Sequence, residues 1–202
     1  MPLKPGLYQI RYVPAHVIPP FVGGLTAVGE DINKPVAALP VLTVPPYTGV
    51  RDWEVTAVPD KKNQYVIATK PFKSPSTGVG PIRAGWGREL RKPVDIEGLD
   101  PSAAARARSK ADIEAEEEGI LPYPGTAVPF TTEIVNWTIE EASDGGGDPN
   151  KVTYRIIAPT VILDAIPAVS VYNNILVVEN YPKISIVDYQ IPTWQFVPVR
   201  PN

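Results

Sequence analysis

Cysteine is absent from this sequence of 202 residues, and histidine occurs once, as His16. The absence of cysteine excludes disulfides, thiolate metal sites and cysteine nucleophiles. A single histidine cannot supply the histidine pair of a typical zinc site, and no Gly-x-Ser-x-Gly motif provides a serine for it to activate. We therefore expect neither a metal nor a cofactor.

Motifs of other enzyme classes are also missing. The sequence contains no phosphate-binding loop and no dinucleotide fingerprint. Glu140 and Glu141 are adjacent, so in a strand their side chains point to opposite faces and cannot act as the paired carboxylates of a glycosidase. The sequence favours a binding protein over an enzyme.

The charge and the hydropathy of the sequence limit the classes of partner that we expect. The formal net charge is -3 and no basic stripe occurs, which argues against nucleic-acid binding. No run of 18 apolar residues occurs, and the amino terminus lacks the apolar segment of a signal peptide. We expect a cytoplasmic monomer that binds neither nucleic acid nor a membrane.

Proline, by contrast, is abundant. Its 25 residues are more than twice the usual share of about 5%. Because proline cannot donate to a central β-ladder, these residues must lie in loops and at strand ends, where they stiffen the connections.

Six segments alternate with the two-residue period of a strand, and each carries a tyrosine or a tryptophan two residues before an Ile, Val or Phe. They are Gly6–Val13, Arg51–Val58, Asn63–Lys70, Val135–Ala142, Val152–Pro159 and Pro192–Val199. Their aromatic residues follow the order Tyr8, Trp53, Tyr65, Trp137, Tyr154 and Trp194. Three Tyr–Trp units predict an all-β fold, a β-trefoil of three four-stranded repeats in one domain over residues 1–202, with repeats at about 1–60, 61–150 and 151–202.

The middle repeat is longer than the others and carries an insertion at about residues 83–124. Asp100 has the residue type of an N-cap, Pro101 suits the first helical position, and Gly119 is a typical stop. These signals predict a helix over Ser102–Glu118.

Three loops are candidates for binding. Pro14–Gly24 and Val41–Val50 are proline-rich, and the Gly23–Gly24 pair either satisfies a turn or lets the backbone approach a partner closely. The third loop, Ala68–Gly85, contains Lys73, which is either a solvated charge or a residue that enters a specificity pocket.

An ordered series of residues resembles a known family. The matching residues are Gly6, Tyr8, Arg11, Val13, Val22–Gly24, Ala27, Glu30, Lys34–Val36, Ala38, Pro40, Trp53–Thr56, Gln64, Tyr65, Ile67, Tyr154–Pro159, Trp194 and Phe196. The series is similar to the mycocypins, the clitocypin-like β-trefoil inhibitors of cysteine proteases from fungi, where defence is one expected role. The likeness is continuous from Lys4 to about Lys70 and beyond that is confined to strand residues.

The resemblance implies a reversible inhibitor that occludes the cleft of papain-like cysteine proteases with two loops and forms no covalent bond. The residues so implied are Phe21, Val22, Gly23 and Gly24 in the first loop and Pro45, Pro46 and Tyr47 in the second. Some members of the family use the third loop against another protease, with asparagine there for legumain and a basic residue for trypsin. Lys73 and Ser74 align with that position, so the resemblance implies a second site for a trypsin-like serine protease.

A carbohydrate-binding β-trefoil lectin is the alternative function. Ricin-type lectins repeat a Gln-x-Trp element, whereas no glutamine precedes Trp53, Trp137 or Trp194 by two residues. A storage protein without a ligand also stays open.

The Lys73 assignment predicts weak inhibition of trypsin and no tight inhibition of legumain. Lys73→Ala should abolish the trypsin inhibition, because the acidic specificity pocket of trypsin loses its cationic partner. Inhibition constants for both proteases measure this, and tight legumain inhibition or an unchanged trypsin constant would refute the assignment.

Overall fold

The computed structural model describes residues 2–14, 24–41, 49–72, 81–88, 126–143, 145–148, 151–159, 163–183 and 191–199. Fourteen strands occur in these ranges: β1 Gly6–Val13, β2 Leu25–Val28, β3 Lys34–Pro35, β4 Ala37–Pro40, β5 Asp52–Ala57, β6 Gln64–Ala68, β7 Gly85–Trp86, β8 Thr126–Ala127, β9 Pro129–Thr131, β10 Asn136–Ser143, β11 Thr153–Ile157, β12 Ala165–Tyr172, β13 Ile175–Pro182 and β14 Thr193–Pro198. Within the same ranges, helical structure is limited to a 3-10 turn at Gly145–Gly147.

The six strands predicted from the tyrosine and tryptophan pattern are confirmed as β1, β5, β6, β10, β11 and β14. A hairpin turn at Asn173–Asn174 joins β12 to β13. Both asparagines have positive φ, 45° and 62°, as a two-residue turn of this kind requires.

Antiparallel pairing closes nine strands into a barrel. The order around the ring is β1, β2, β4, β13, β12, β11, β10, β6, β5 and back to β1. The β14 strand pairs with both β1 and β11, while β3, β7, β8 and β9 are short additions to the sheet. The ring brings the first and last thirds of the chain together through Ile175 of β13 and Ala37 of β4.

The prediction of a β-trefoil with three four-stranded repeats and a helix-containing insertion is therefore wrong. The described parts of the three predicted repeats hold five, five and four strands, and the hydrogen-bonded ring runs through nine of them. Alternation in sequence shows which side chains face inward, but it does not show which strand pairs with which. The helix predicted at Ser102–Glu118 lies outside the described residues.

Four tryptophans form the centre of the core. Trp53, Trp86, Trp137 and Trp194 are all buried, with at most 1% of their surface exposed. The Trp86 ring lies in the middle, since its centroid is 5.8 Å, 5.9 Å and 6.4 Å from those of Trp53, Trp137 and Trp194 in edge-to-face contacts. The sequence pattern included the other three tryptophans but missed Trp86, because its strand is only two residues long.

The three tryptophans of the repeated pattern share one hydrogen-bonding arrangement. Their indole N–H groups donate to buried backbone carbonyls: Trp53 to Ala27 at 3.0 Å, Trp137 to Trp86 at 3.2 Å and Trp194 to Val169 at 3.0 Å. Each bond ties a long strand to a strand of another part of the ring or sheet. The Trp86 Nε1 atom, in contrast, is buried without an acceptor among the described residues.

The amino-terminal segment packs against the tyrosines of the pattern. The Tyr8 hydroxyl donates to the carbonyl of Lys4 at 2.7 Å, and the Tyr65 hydroxyl donates to that of Leu3 at 2.9 Å. Leu3 is itself part of the core. Burial raises the pKa of the Tyr8, Tyr65 and Tyr154 phenols above 10.0, and mutual repulsion of phenolates adds to the rise in pKa at Tyr8 and Tyr154.

A comparison of two tryptophan substitutions tests the hydrogen-bonding arrangement. Trp194→Phe should lower the free energy of unfolding by about 1–3 kcal/mol more than Trp86→Phe, because only the first leaves a buried carbonyl without its donor. Urea unfolding followed by far-ultraviolet circular dichroism measures both. Equal losses would show that the indole N–H bonds contribute nothing specific.

The tyrosine environment predicts alkaline destabilisation. Unfolded tyrosines lose their protons near pH 10, whereas the buried phenols keep theirs, so the free energy of unfolding should fall as the pH rises above about 10 and be unaffected by these groups below it. Urea unfolding between pH 8 and pH 11 measures the slope. The slope should be shallower in Tyr65→Phe than in the unaltered protein, and identical slopes would contradict the assignment.

Candidate functional site

The structure describes only part of the predicted binding residues. Gly24 lies within the described ranges, at the start of β2. The remaining predicted residues lie outside them: Phe21, Val22, Gly23, Pro45, Pro46, Tyr47, Lys73 and Ser74. The site is therefore defined by the segments from which the three loops leave and to which they return.

The end of the first loop lies beside the start of the second. Leu25 of β2 pairs with Pro40 of β4, and one residue further out the Val41 amide donates to the Gly24 carbonyl at 2.9 Å. Gly24 is the last residue of the predicted first loop, and Val41 is the first residue of the second. A single hydrogen bond thus joins the last residue of the first loop to the first residue of the second, beyond the Leu25–Pro40 pair.

The β2 strand is also fixed against β1, from which the first loop leaves. Thr26 is opposite Arg11 in the β1–β2 ladder, and its buried hydroxyl donates to the Ile10 carbonyl at 3.1 Å. Because a buried hydroxyl needs a partner, this bond restricts how β2 can lie on β1. The return point of the first loop is therefore set by contacts within the core.

Gly24 has a backbone conformation that suits glycine. Its φ is 86°, in the left-handed region, and the residue is exposed. Any other residue here would cost about 1–3 kcal/mol of backbone strain. This requirement explains the second glycine of the Gly23–Gly24 pair without reference to a partner, so it does not by itself indicate binding.

The second loop returns at the opposite end of β2. Gly29 and Val50 exchange two backbone hydrogen bonds of 2.9 Å and 2.7 Å. The neighbouring Arg51 reaches back to the start of the loop, with its Nη1 atom 3.5 Å from the Val41 carbonyl. Both ends of the second loop are therefore anchored on the β2–β4 hairpin.

The third loop is closed at its base. Phe72 and Ile82 exchange two backbone hydrogen bonds of 2.9 Å and 2.8 Å, so the segment between them, residues 73–81, begins and ends at one point. The Phe72 ring stacks on that of Phe130, with centroids 6.1 Å apart and an interplanar angle of 18°. This packing ties the base of the loop to the core.

The Phe130 ring packs against residues at the bases of both the second and the third loop. A β-carbon added to Gly29 would lie 2.9 Å from the Phe130 ring, which leaves room only for glycine. Gly29 holds the returning end of the second loop, and Phe72 holds the third. One fully buried ring therefore lies against the bases of both loops. The sequence pattern gave no sign of this residue's role, since Phe130 follows a proline in a three-residue strand.

The tryptophans do not form sugar-binding platforms. Trp53, Trp137 and Trp194 are buried and their N–H groups are engaged by backbone carbonyls, so none presents a ring face to solvent. The lectin alternative therefore receives no support from the residues on which it depended.

The described ranges also lack two other kinds of feature, a metal-binding cluster and a membrane-spanning helix. These ranges contain no group of three or more His, Cys, Asp and Glu side chains that could hold a metal ion. They also contain no helix of sufficient length and hydrophobicity to span a bilayer.

Comparison with known proteins gives no matching family model and no matching curated sequence. The likeness to the mycocypins therefore depends on the residue series alone.

Proposed function

We propose that this protein is a reversible inhibitor of papain-like cysteine proteases that occludes the catalytic cleft with the first and second loops. The observation that supports this most directly is the hydrogen bond between the Gly24 carbonyl and the Val41 amide, which puts the end of the first loop beside the start of the second. Two adjacent loops can enter one cleft, whereas loops on opposite ends of a barrel cannot.

The sequence and the loop bases together explain how such a surface could bind tightly without a reactive group. Proline restricts the backbone of both loops, and the hydrogen bonds at Gly24, Gly29 and Val50 fix where they leave the barrel. A loop that is ordered before binding loses less conformational entropy when it docks. Inhibition then arises from exclusion of substrate, with no bond formed to the catalytic thiol.

The second part of the proposal is that the third loop presents Lys73 and Ser74 to a trypsin-like serine protease. The paired backbone bonds between Phe72 and Ile82 support this role, because they fix the base of the loop directly before Lys73. A cation on a loop whose base is fixed suits an acidic specificity pocket.

Tyr47→Ala should weaken papain inhibition by at least about tenfold, equivalent to roughly 1.4 kcal/mol, because it removes the largest side chain of the second loop from the contact. Tyr172→Ala is the matched control. Tyr172 is exposed, and it adjoins the β12–β13 turn, which contacts the end of β4 distant from Val41. Steady-state inhibition constants with papain measure both.

Two results would contradict the proposal. One is an unaltered protein that fails to inhibit papain at micromolar concentration, and the other is equal inhibition by Tyr47→Ala and Tyr172→Ala.

Gly23→Trp gives an independent test of the first loop and is preferable to a change at Gly24, where backbone strain would alter folding as well as binding.

A further inference from the structure

A groove of about 640 Å³ lies on the barrel, and none of its described lining residues belongs to the three loops. Its walls come from the β5–β6 turn, the beginning of β10, the end of β11 and the beginning of β12. Its volume lies within the range of about 300–1,000 Å³ that is usual for ligand sites. None of its lining residues belongs to the loop bases described above.

Three cations line this groove although the chain as a whole is acidic. Lys61 comes from the β5–β6 turn, Arg88 follows β7, and Lys183 follows β13. No aspartate or glutamate is among its described lining residues, while the formal net charge of the protein is -3. Side chains that are distant in sequence therefore concentrate positive charge at one place.

Two of these cations have no carboxylate partner in the described part of the chain. The ion pairs resolved there join Arg83 to Glu54 and Lys151 to Asp148, and neither involves Lys61 or Arg88. An anionic ligand would not have to displace an ion pair with a described carboxylate at either residue. Charge complementarity therefore points to an anionic occupant.

The rest of the lining indicates which kind of anion fits. The apolar part is aliphatic, with Ile157, Ile166 and Pro167 among its residues, and the described lining contains no aromatic ring on which a base or a sugar could stack. Gln64, Asn136 and Thr138 supply amide and hydroxyl groups. Aliphatic surface, neutral hydrogen-bonding groups and separate cations match a peptide better than a nucleotide or a glycan.

An exposed leucine lies close in sequence to the groove. Leu163 has 84% of its surface exposed and stands two residues before Ala165, which lines the groove. A large side chain this exposed has little to contact in the described structure. It would gain contact area from a bound peptide, but not from a small inorganic ion.

We propose that this groove binds an extended acidic segment of a partner protein, with carboxylates near Lys61, Arg88 and Lys183 and aliphatic side chains on the Ile157 and Ile166 surface. The site is separate from the protease-binding loops. Since the cations are accessible to solvent, binding should weaken as salt screens them.

The test uses a fluorescein-labelled peptide in which four glutamates alternate with valines, titrated by fluorescence anisotropy at low and at physiological ionic strength. The unaltered full-length protein should bind it, and a peptide with glutamine in place of glutamate should bind at least about tenfold more weakly. The double substitution Lys61→Glu/Arg88→Glu should also weaken binding at least about tenfold.

Lys34→Glu/Lys70→Glu is the charge-matched control. Both lysines are exposed and neither lines the groove, so this variant changes the net charge equally and should bind the peptide within about twofold of the unaltered protein. The groove variant should inhibit papain as the unaltered protein does, which separates this proposal from the proposed function.

Several results would overturn the proposal. Absence of binding at low salt, or equal weakening by the groove and control variants, would show that the groove has no specific affinity for acidic peptides. Tighter binding of a sulfated oligosaccharide through Lys61 and Arg88 would assign the groove to a different class of ligand. The chain itself carries glutamates at positions 114, 116, 117 and 118. Binding that appears only after these four are replaced by glutamine would assign the groove to a segment of this chain and not to a partner protein.

Discussion

The three indole-to-carbonyl hydrogen bonds are the constraint on which the rest of the structure depends. Each is buried, and each joins a long strand that carries a tryptophan to a strand elsewhere in the sheet. A buried carbonyl without a donor is costly, so these bonds admit few alternative placements of the strands they join. The central Trp86 ring fills the space between the other three indoles and makes their positions interdependent.

One of these bonds links the core to the candidate binding surface. Trp53 donates to Ala27 in the middle of β2, a strand whose two ends adjoin Gly24 and Gly29. Gly24 lies where the first loop returns, and its carbonyl accepts a hydrogen bond from Val41 at the start of the second loop. Gly29 pairs with Val50, where the second loop returns. The side chain that fixes β2 in the core therefore also fixes where the loops leave the barrel. Rigid strands carrying variable loops are a common basis for binding sites.

The same core also positions the base of the third loop, and the same barrel carries the groove. Phe130 reaches from the tryptophan cluster, where it contacts Trp53, to the stacked ring of Phe72 at the base of the third loop. The groove is lined by residues of β10, β11 and β12 of the same barrel, and its described lining shares no residue with the loops. The two proposed surfaces are therefore formed by different described residues.

The sequence by itself determined the absence of cysteine chemistry, the six strands that carry tyrosine or tryptophan, and the inward direction of those side chains. These follow from residue type and from the two-residue period of a strand, both of which are local. It did not determine that β4 pairs with β13, that nine strands close into a ring, or that Trp86 lies at its centre. Ladder hydrogen bonds are made by backbone groups that nearly every residue has, so a pattern cannot name the partner strand. Only the closed tertiary structure brought Gly24 beside Val41, Phe130 beside Gly29, and Lys61 to the same groove as Arg88 and Lys183.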